Sequence, residues 1–187
     1  VVYHGVSQEF HILKKPETAL LSHFPELVAR RYAIFIGHRV NAKNFLAAVE
    51  ALSDFDFLTL VTVGGGDLTQ YELNYTDKFG VSQVHVGSVS NEKLNVLLNN
   101  AEFLIYPSKY EGLPGVIVES QISNLKVFMS DTITNEVVLT DLVELINIKS
   151  KPQDVAKQIL ESNFKQINRS DVSNFKSYYS AFLIIGK

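Results

Sequence analysis

Apolar residues along the chain keep two alternating rhythms. Continuous runs rich in β-branched and aromatic residues stand at Tyr32–Gly37, Phe57–Val63, Val84–Val86, Phe103–Tyr106, Val127–Met129 and Val143–Ile148. Between them lie segments of helical period: Ala42–Leu52, with Phe45, Leu46, Val49 and Leu52 on one stripe, Leu68–Phe79, Asn91–Asn99, Pro114–Ile122 and Asp154–Leu160. Pro16–Arg31 breaks the alternation and reads as an extra helix, after a β-type run at Val1–Val6. Short apolar strands alternating with helices of about ten residues predict βαβ units and a parallel sheet covered on both faces. No repeat, low-complexity tract or Pro/Gly-rich linker divides the chain, so the expectation is one doubly wound α/β domain over residues 1–187. In such sheets ligands sit beyond the carboxyl ends of the strands. That directs attention to the loops Gly37–Lys43, Gly64–Thr69, Gly87–Asn91, Pro107–Pro114 and Ser130–Glu136.

Composition narrows the chemistry. Seventeen Lys and Arg against twenty Asp and Glu give a net charge of −3, which argues against a nucleic-acid binder. With no cysteine there is no disulfide, thiolate zinc site or cysteine nucleophile, and the five histidines lack metal-ligand spacing, so no metal is expected. No apolar stretch approaches the ~20 residues of a membrane span. The chain opens without an initiator Met, as a piece of something longer would.

The stretch Tyr106-Pro-Ser-Lys-Tyr-Glu111-Gly-Leu-Pro-Gly-Val-Ile-Val-Glu119 carries the most chemistry. A strand ends, a tight Gly/Pro loop follows, and Pro114 suits the first turn of a helix. The free N–H groups of that helix start, with Gly112 and Gly115 permitting close approach, suit a phosphate. Glu111 and Glu119 flank it with seven residues between them, and ionised carboxylates are acceptors matched to paired sugar hydroxyls. A turn followed by an amphipathic helix with Glu119 on its wet face is the plainer alternative.

This stretch resembles the signature of glycosyltransferase family 4, retaining enzymes of the GT-B fold, which often reads Pro-Ser, two residues, Glu-Gly-Leu-Pro, four residues, Glu. The resemblance continues at Val1-Val-Tyr-His-Gly-Val6, at Gly37-His-Arg39-Val-Asn-Ala-Lys43-Asn44-Phe, at Leu60–Gly66 and at Val84–Gly87 with Leu94–Ala101. It implies a single Rossmann-like domain, the C-terminal half of a GT-B enzyme, with the N-terminal acceptor domain absent from the chain. The implied activity is hexosyl transfer from a UDP- or GDP-sugar to a saccharide or lipid-linked acceptor, without a metal and with the isolated chain inactive. The implied place is the cytoplasm, or the inner face of a membrane reached through the missing domain.

By the same resemblance Glu111 contacts the donor hexose near the reacting carbon, and Glu119 holds the ribose hydroxyls. Lys43 neutralises the diphosphate leaving group with Arg39 as helper, and Gly112, Leu113, Pro114, Gly115 and Gly37 frame the donor. Backbone groups near Val86 and Gly87 frame the base. Four departures from the pattern stand out. His38 occupies the usual Arg position with Arg39 one place later, leaving open which of the two meets phosphate. Asn124 and Lys126 replace a Gly and a Pro, Leu113-Pro-Gly replaces Phe-Gly-Leu-Pro, and Gly65 replaces an acidic residue.

Lesser signals were weighed beside these. Gly64-Gly-Gly66-Asp-Leu-Thr69 is an incomplete dinucleotide fingerprint and reads as a strand-end turn. Ser108 reads as a cap. The apolar run Phe175–Ile185 reads as a closing helix. A degenerate copy of the domain kept for protein contacts is the competing class; a phosphorylated receiver and a nicotinamide enzyme lack their acidic and glycine signatures.

Overall fold

A computed structural model describes residues 6–162. Val1–Gly5 and the expected closing helix at Phe175–Ile185 lie outside the described residues. Helix α1 (Pro16–His23) precedes six βα units: β1 (Tyr32–Ile36), α2 (Phe45–Leu52), β2 (Thr59–Val63), α3 (Gln70–Lys78), β3 (Gln83–Gly87), α4 (Asn91–Asn100), β4 (Phe103–Tyr106), α5 (Gly115–Ile122), β5 (Lys126–Ser130), β6 (Val143–Ile146) and α6 (Pro152–Glu161). The unit after β5 alone lacks an α-helix. It carries a 3₁₀ turn at Asn135–Val137.

The strands form one fully parallel sheet in the order β3-β2-β1-β4-β5-β6. Their period-two alternation divides the core into two. Tyr32, Ile34, Leu104, Tyr106, Val127 and Met129 face the layer of α1, α4 and α5. Ala33, Phe35, Phe103, Ile105 and Phe128 face α2 and α6, where Phe103 and Phe128 meet edge to face at 5.2 Å. Each face is buried because βαβ crossovers place helices on both sides. The order reverses between β1 and β4, so α2 and α5 pack on opposite faces of the sheet, and this switch point marks the crevice where ligands bind in such sheets.

Local chemistry explains where the elements differ from expectation. Pro16–Arg31 is not one helix. Pro25 disfavours the helical region for its predecessor, and Phe24 duly leaves it at φ −143°, ending α1. α2 starts at Phe45 rather than Ala42, because Asn41–Lys43 is a 3₁₀ turn and Asn44 stands left-handed at φ 56°. β2 starts at Thr59, with Phe57 instead packed beneath the Arg31 guanidinium.

The Asn124 and Lys126 departures also have a structural account. Asn124 adopts φ 55°, and the Leu125 and Asn124 N–H groups donate to the Ser120 and Gln121 carbonyls. This is a Schellman ending of α5, in which Asn is the best substitute for Gly. Lys126 ion-pairs with Glu144 of the neighbouring edge strand at 3.1 Å. Fully buried Gln121 donates to Val137 O and accepts from the N–H of Leu139 and Thr140, fixing α5 against the loop before β6.

Candidate functional site

The strand ends that line the crevice are stacked glycines. Gly37 N–H donates to Val63 O, and Gly64 N–H donates to Gly87 O. Gly64 has φ 144°, and a Cβ there would lie 2.4 Å from Gly37 O, so only glycine fits. Two loops meet above the junction of β1 and β4. Asn44 Nδ2 donates to Pro107 O, Lys109 N–H donates to Ala42 O, and Lys109 Nζ donates to Asn41 Oδ1. These three bonds fix residues 41–44 against residues 107–109.

The clamp brings Lys43 and Glu111 together. Lys43 Nζ lies 2.6 Å from Glu111 Oε1 and donates to Tyr106 Oη at 2.8 Å. The Tyr106 hydroxyl in turn donates to Glu111 Oε1 at 3.1 Å. Burial alone would lower the Lys43 pKa, but hydrogen bonds from Glu111 and Tyr106 outweigh it and the net shift is upward. Lys43 is therefore a fixed cation at neutral pH. Burial pushes the Tyr106 phenol up against the opposing pull of Lys43, which keeps it protonated and able to donate.

Across the crevice, α5 starts at Gly115 with Pro114 as its N-cap, one place earlier than the first-turn position expected for Pro114. No side chain caps this end, and with Ile117 N–H donating to Pro114 O, the N–H groups of Gly115 and Val116 are the ones left for an anion. A side chain at Gly112 would meet nothing within 4 Å, and one at Gly115 would stand 3.8 Å from Glu119 Oε1. Glu119 thus looks along the helix start rather than away from it. It lies half-buried, and desolvation raises its carboxyl from 4.5 to about 7. Pro114 is buried, and Leu113 packs against the core.

The other expected residues separate. Arg39 turns from Lys43 toward α3. Its Nε lies 3.2 Å from Glu72 Oε1, its Nη2 donates to Gly66 O, and its side chain is 5 % exposed. Glu72 is itself fixed by a capping box with Thr69 at the start of α3. Arg39 also borders a cavity of about 380 Å³ shared with Tyr71 and Lys109, on the α2–α3 side of the loop. The structure thus places the Arg39 guanidinium, expected as helper to Lys43, in a buried ion pair with Glu72 of α3. His38 is exposed instead, with its ring over Gly65, where a Cβ would come within 2.7 Å of Cε1. An acidic side chain in place of Gly65 and the present His38 rotamer exclude one another.

Val86 and Gly87 close β3 half-buried, with Gly87 at φ 70°. Ser108 caps nothing: its Oγ is buried without a hydrogen-bond partner. Tyr106, Asn44 and Lys109 are the participants that sequence reading passed over. The available signal was a Tyr closing an otherwise aliphatic strand directly before Pro-Ser. Among the described residues no cluster of three or more His, Asp or Glu is placed to hold a metal ion. No helix among them is long and apolar enough to cross a membrane.

The fold is thus a Rossmann-like parallel sheet whose switch-point loops present a fixed cation, a helix start without a side-chain cap and two carboxylates. The chain matches the family described as Glycosyl transferases group 1 over residues 23–175, and it belongs to that family. Among solved structures it resembles sucrose-phosphate synthase from Thermosynechococcus elongatus (TM-score 0.76, 17 % identity, 97 % of this chain and 47 % of that one). It also resembles HepE of Anabaena in complex with UDP-glucose (TM-score 0.79, 14 % identity, 99 % and 54 %). A third likeness is to the C-terminal domain of a group 1 glycosyl transferase from Francisella tularensis (TM-score 0.67, 16 % identity, 94 % and 98 %). The chain spans about half the length of the first two proteins. A stretch of 48 residues is 42 % identical to EpsF of Bacillus subtilis, covering 12 % of that protein.

Proposed function

We propose that the chain is the donor-binding half of a retaining glycosyltransferase of family 4, which moves a hexosyl group from a nucleoside diphosphate sugar to a saccharide or lipid-linked acceptor. The acceptor site would lie on an N-terminal domain outside this chain, so the chain alone would bind donor without transferring it. The observation that carries the reading is the Lys43–Glu111 pair at the β1/β4 switch point, on the loop that runs into the uncapped start of α5, where Glu119 stands beside Gly115. The complex of HepE with UDP-glucose, on the same fold, supports a nucleotide sugar as the ligand.

The chemistry follows from charge. As the bond from the anomeric carbon to the diphosphate oxygen breaks, its electron pair leaves with the nucleoside diphosphate. The Lys43 ammonium and the N–H groups of Gly115 and its neighbours are preorganised to stabilise that charge, so no cofactor or metal is needed. Glu111 accepts from donor hexose hydroxyls, Glu119 from the ribose diol, and backbone near Val86 and Gly87 borders the base. Arg39, held by Glu72, shapes the loop rather than touching phosphate. Exposed His38 is a further side-chain donor of that loop.

A degenerate module without catalysis is disfavoured by the intact Lys43–Glu111 pair and by Glu119. A protein-contact domain would have no reason to keep a half-buried, unpaired carboxylate beside a free helix start. A thermal-shift panel over UDP-, GDP-, ADP- and TDP-sugars tests the reading. One nucleotide should raise the melting temperature in a concentration-dependent way with chelator present. A flat panel at millimolar ligand would refute it.

A further inference from the structure

Tyr106 is the last residue of β4, 2 % exposed, with its ring in the core layer beneath α1, α4 and α5. The ring explains its burial, but packing does not explain the hydroxyl. Phe would fill the same space, and a buried hydroxyl is costly unless it is bonded. Both partners of this hydroxyl are ionic side chains, and they come from different loops.

The count of donors and acceptors is informative. Glu111 Oε1 receives both Lys43 Nζ and Tyr106 Oη, which fills the two lone pairs of that oxygen. Glu111 Oε2 therefore stays available. The Lys43 ammonium spends two of its three N–H groups on Tyr106 and Glu111, and the third stays available. Lys43 and Glu111 already pair directly, but without the phenol the ammonium could turn a second N–H to Glu111 Oε2 and withdraw both groups from any ligand. With it, each is held by one side only.

We propose that Tyr106 is a positioning residue of the donor site, whose hydroxyl holds Lys43 and Glu111 in register so that one ammonium N–H and one carboxylate oxygen remain for the donor. This rests on the nucleotide-sugar reading above. Lys43 Nζ lies 2.8 Å from Oη and 5.1 Å from the ring centroid, beyond the hydroxyl edge of the ring, so the hydroxyl alone restrains the ammonium and the ring only fills the core. The two roles of the residue can therefore be separated by one oxygen atom.

The test is a double-mutant cycle on UDP-glucose affinity, read by ligand-observed NMR titration into the millimolar range, with melting temperatures taken alongside. Tyr106→Phe should keep the wild-type melting temperature within a few degrees and bind UDP-glucose about tenfold more weakly. In a Lys43→Ala background, where there is no ammonium left to position, adding Tyr106→Phe should change affinity less than about threefold. Wild-type binding with Tyr106→Phe unchanged would overturn the positioning role and leave the nucleotide-sugar reading intact. An equal tenfold loss in both backgrounds would overturn it too, marking a merely structural effect. If the wild-type chain binds a GDP-hexose and not UDP-glucose, the same cycle is read with that donor; failure to bind either would overturn the nucleotide-sugar reading, and the role of Tyr106 with it.

Discussion

Glu119 is held in its native place at a cost, and Glu119→Gln should reveal it. Desolvation raises its carboxyl from 4.5 to about 7. A raised carboxyl pKa means that the folded chain binds the proton more tightly than the unfolded chain. Its contribution is fully present below the unfolded value near 4.5 and is lost as pH rises through about 7. At about 1.4 kcal/mol per unit, the shift sets a ceiling of about 3 kcal/mol, and residual solvent access reduces it to roughly half that. The Gln variant keeps the shape and cannot ionise, so it should be more stable than wild type at pH 8 by about 1.5–3 kcal/mol. For a domain of this size that is a melting-temperature gain of about 4–8 °C. At pH 4.5 the two proteins should melt together.

Differential scanning calorimetry at matched pH, wild type beside variant, cancels the other titrating groups. A variant less stable at pH 8, or a difference independent of pH, would refute the reasoning. The same carboxylate should act in binding. Affinity for a nucleotide sugar should improve as pH rises through about 7, since the ionised acceptor bonds hydroxyls more strongly. Glu119→Gln, more stable yet about tenfold weaker in binding, would place this residue among those kept for function against stability.

Four further outcomes are expected. Lys43→Ala should weaken nucleotide-sugar binding tenfold or more by calorimetric titration, on the order of 1.4 kcal/mol, while leaving the fold intact. Gly64→Ala should cost about 2–4 kcal/mol in denaturant unfolding, because its Cβ would strike Gly37 O at a φ that alanine avoids. Asn124→Gly should melt no lower than wild type, since it keeps the left-handed turn and removes a buried amide nitrogen that has no partner. Asn124→Ala should lose about 1–2 kcal/mol at the same position.

The sequence made the sheet legible because parallel strands buried on both faces must be apolar at every position. All six internal runs became strands. Element ends were less legible where one residue decides them, as Pro25 does for α1 and left-handed Asn44 does for α2. Within the candidate site, Lys43, Glu111 and Glu119 stand out in the sequence because each lies in a dense local motif. The contact that Arg39 makes is not legible there, for a tertiary reason. Adjacent residues in an extended loop point to opposite sides, and only the packing of α3 decides that Glu72 takes Arg39 and leaves His38 exposed. Tyr106 escaped notice because its hydroxyl matters only through two side chains, one of them 63 residues away in the sequence. Nothing in a strand of apolar residues announces such a meeting.

If this crevice takes a nucleoside diphosphate sugar without a metal, isothermal titration of the chain with UDP-glucose and with a GDP-hexose, each in the presence of EDTA, should reveal it. Saturable one-to-one binding to one of the two is expected, weakened tenfold or more by Lys43→Ala and by Glu119→Ala. Absence of binding to both at millimolar concentration, or binding indifferent to these substitutions, would contradict it.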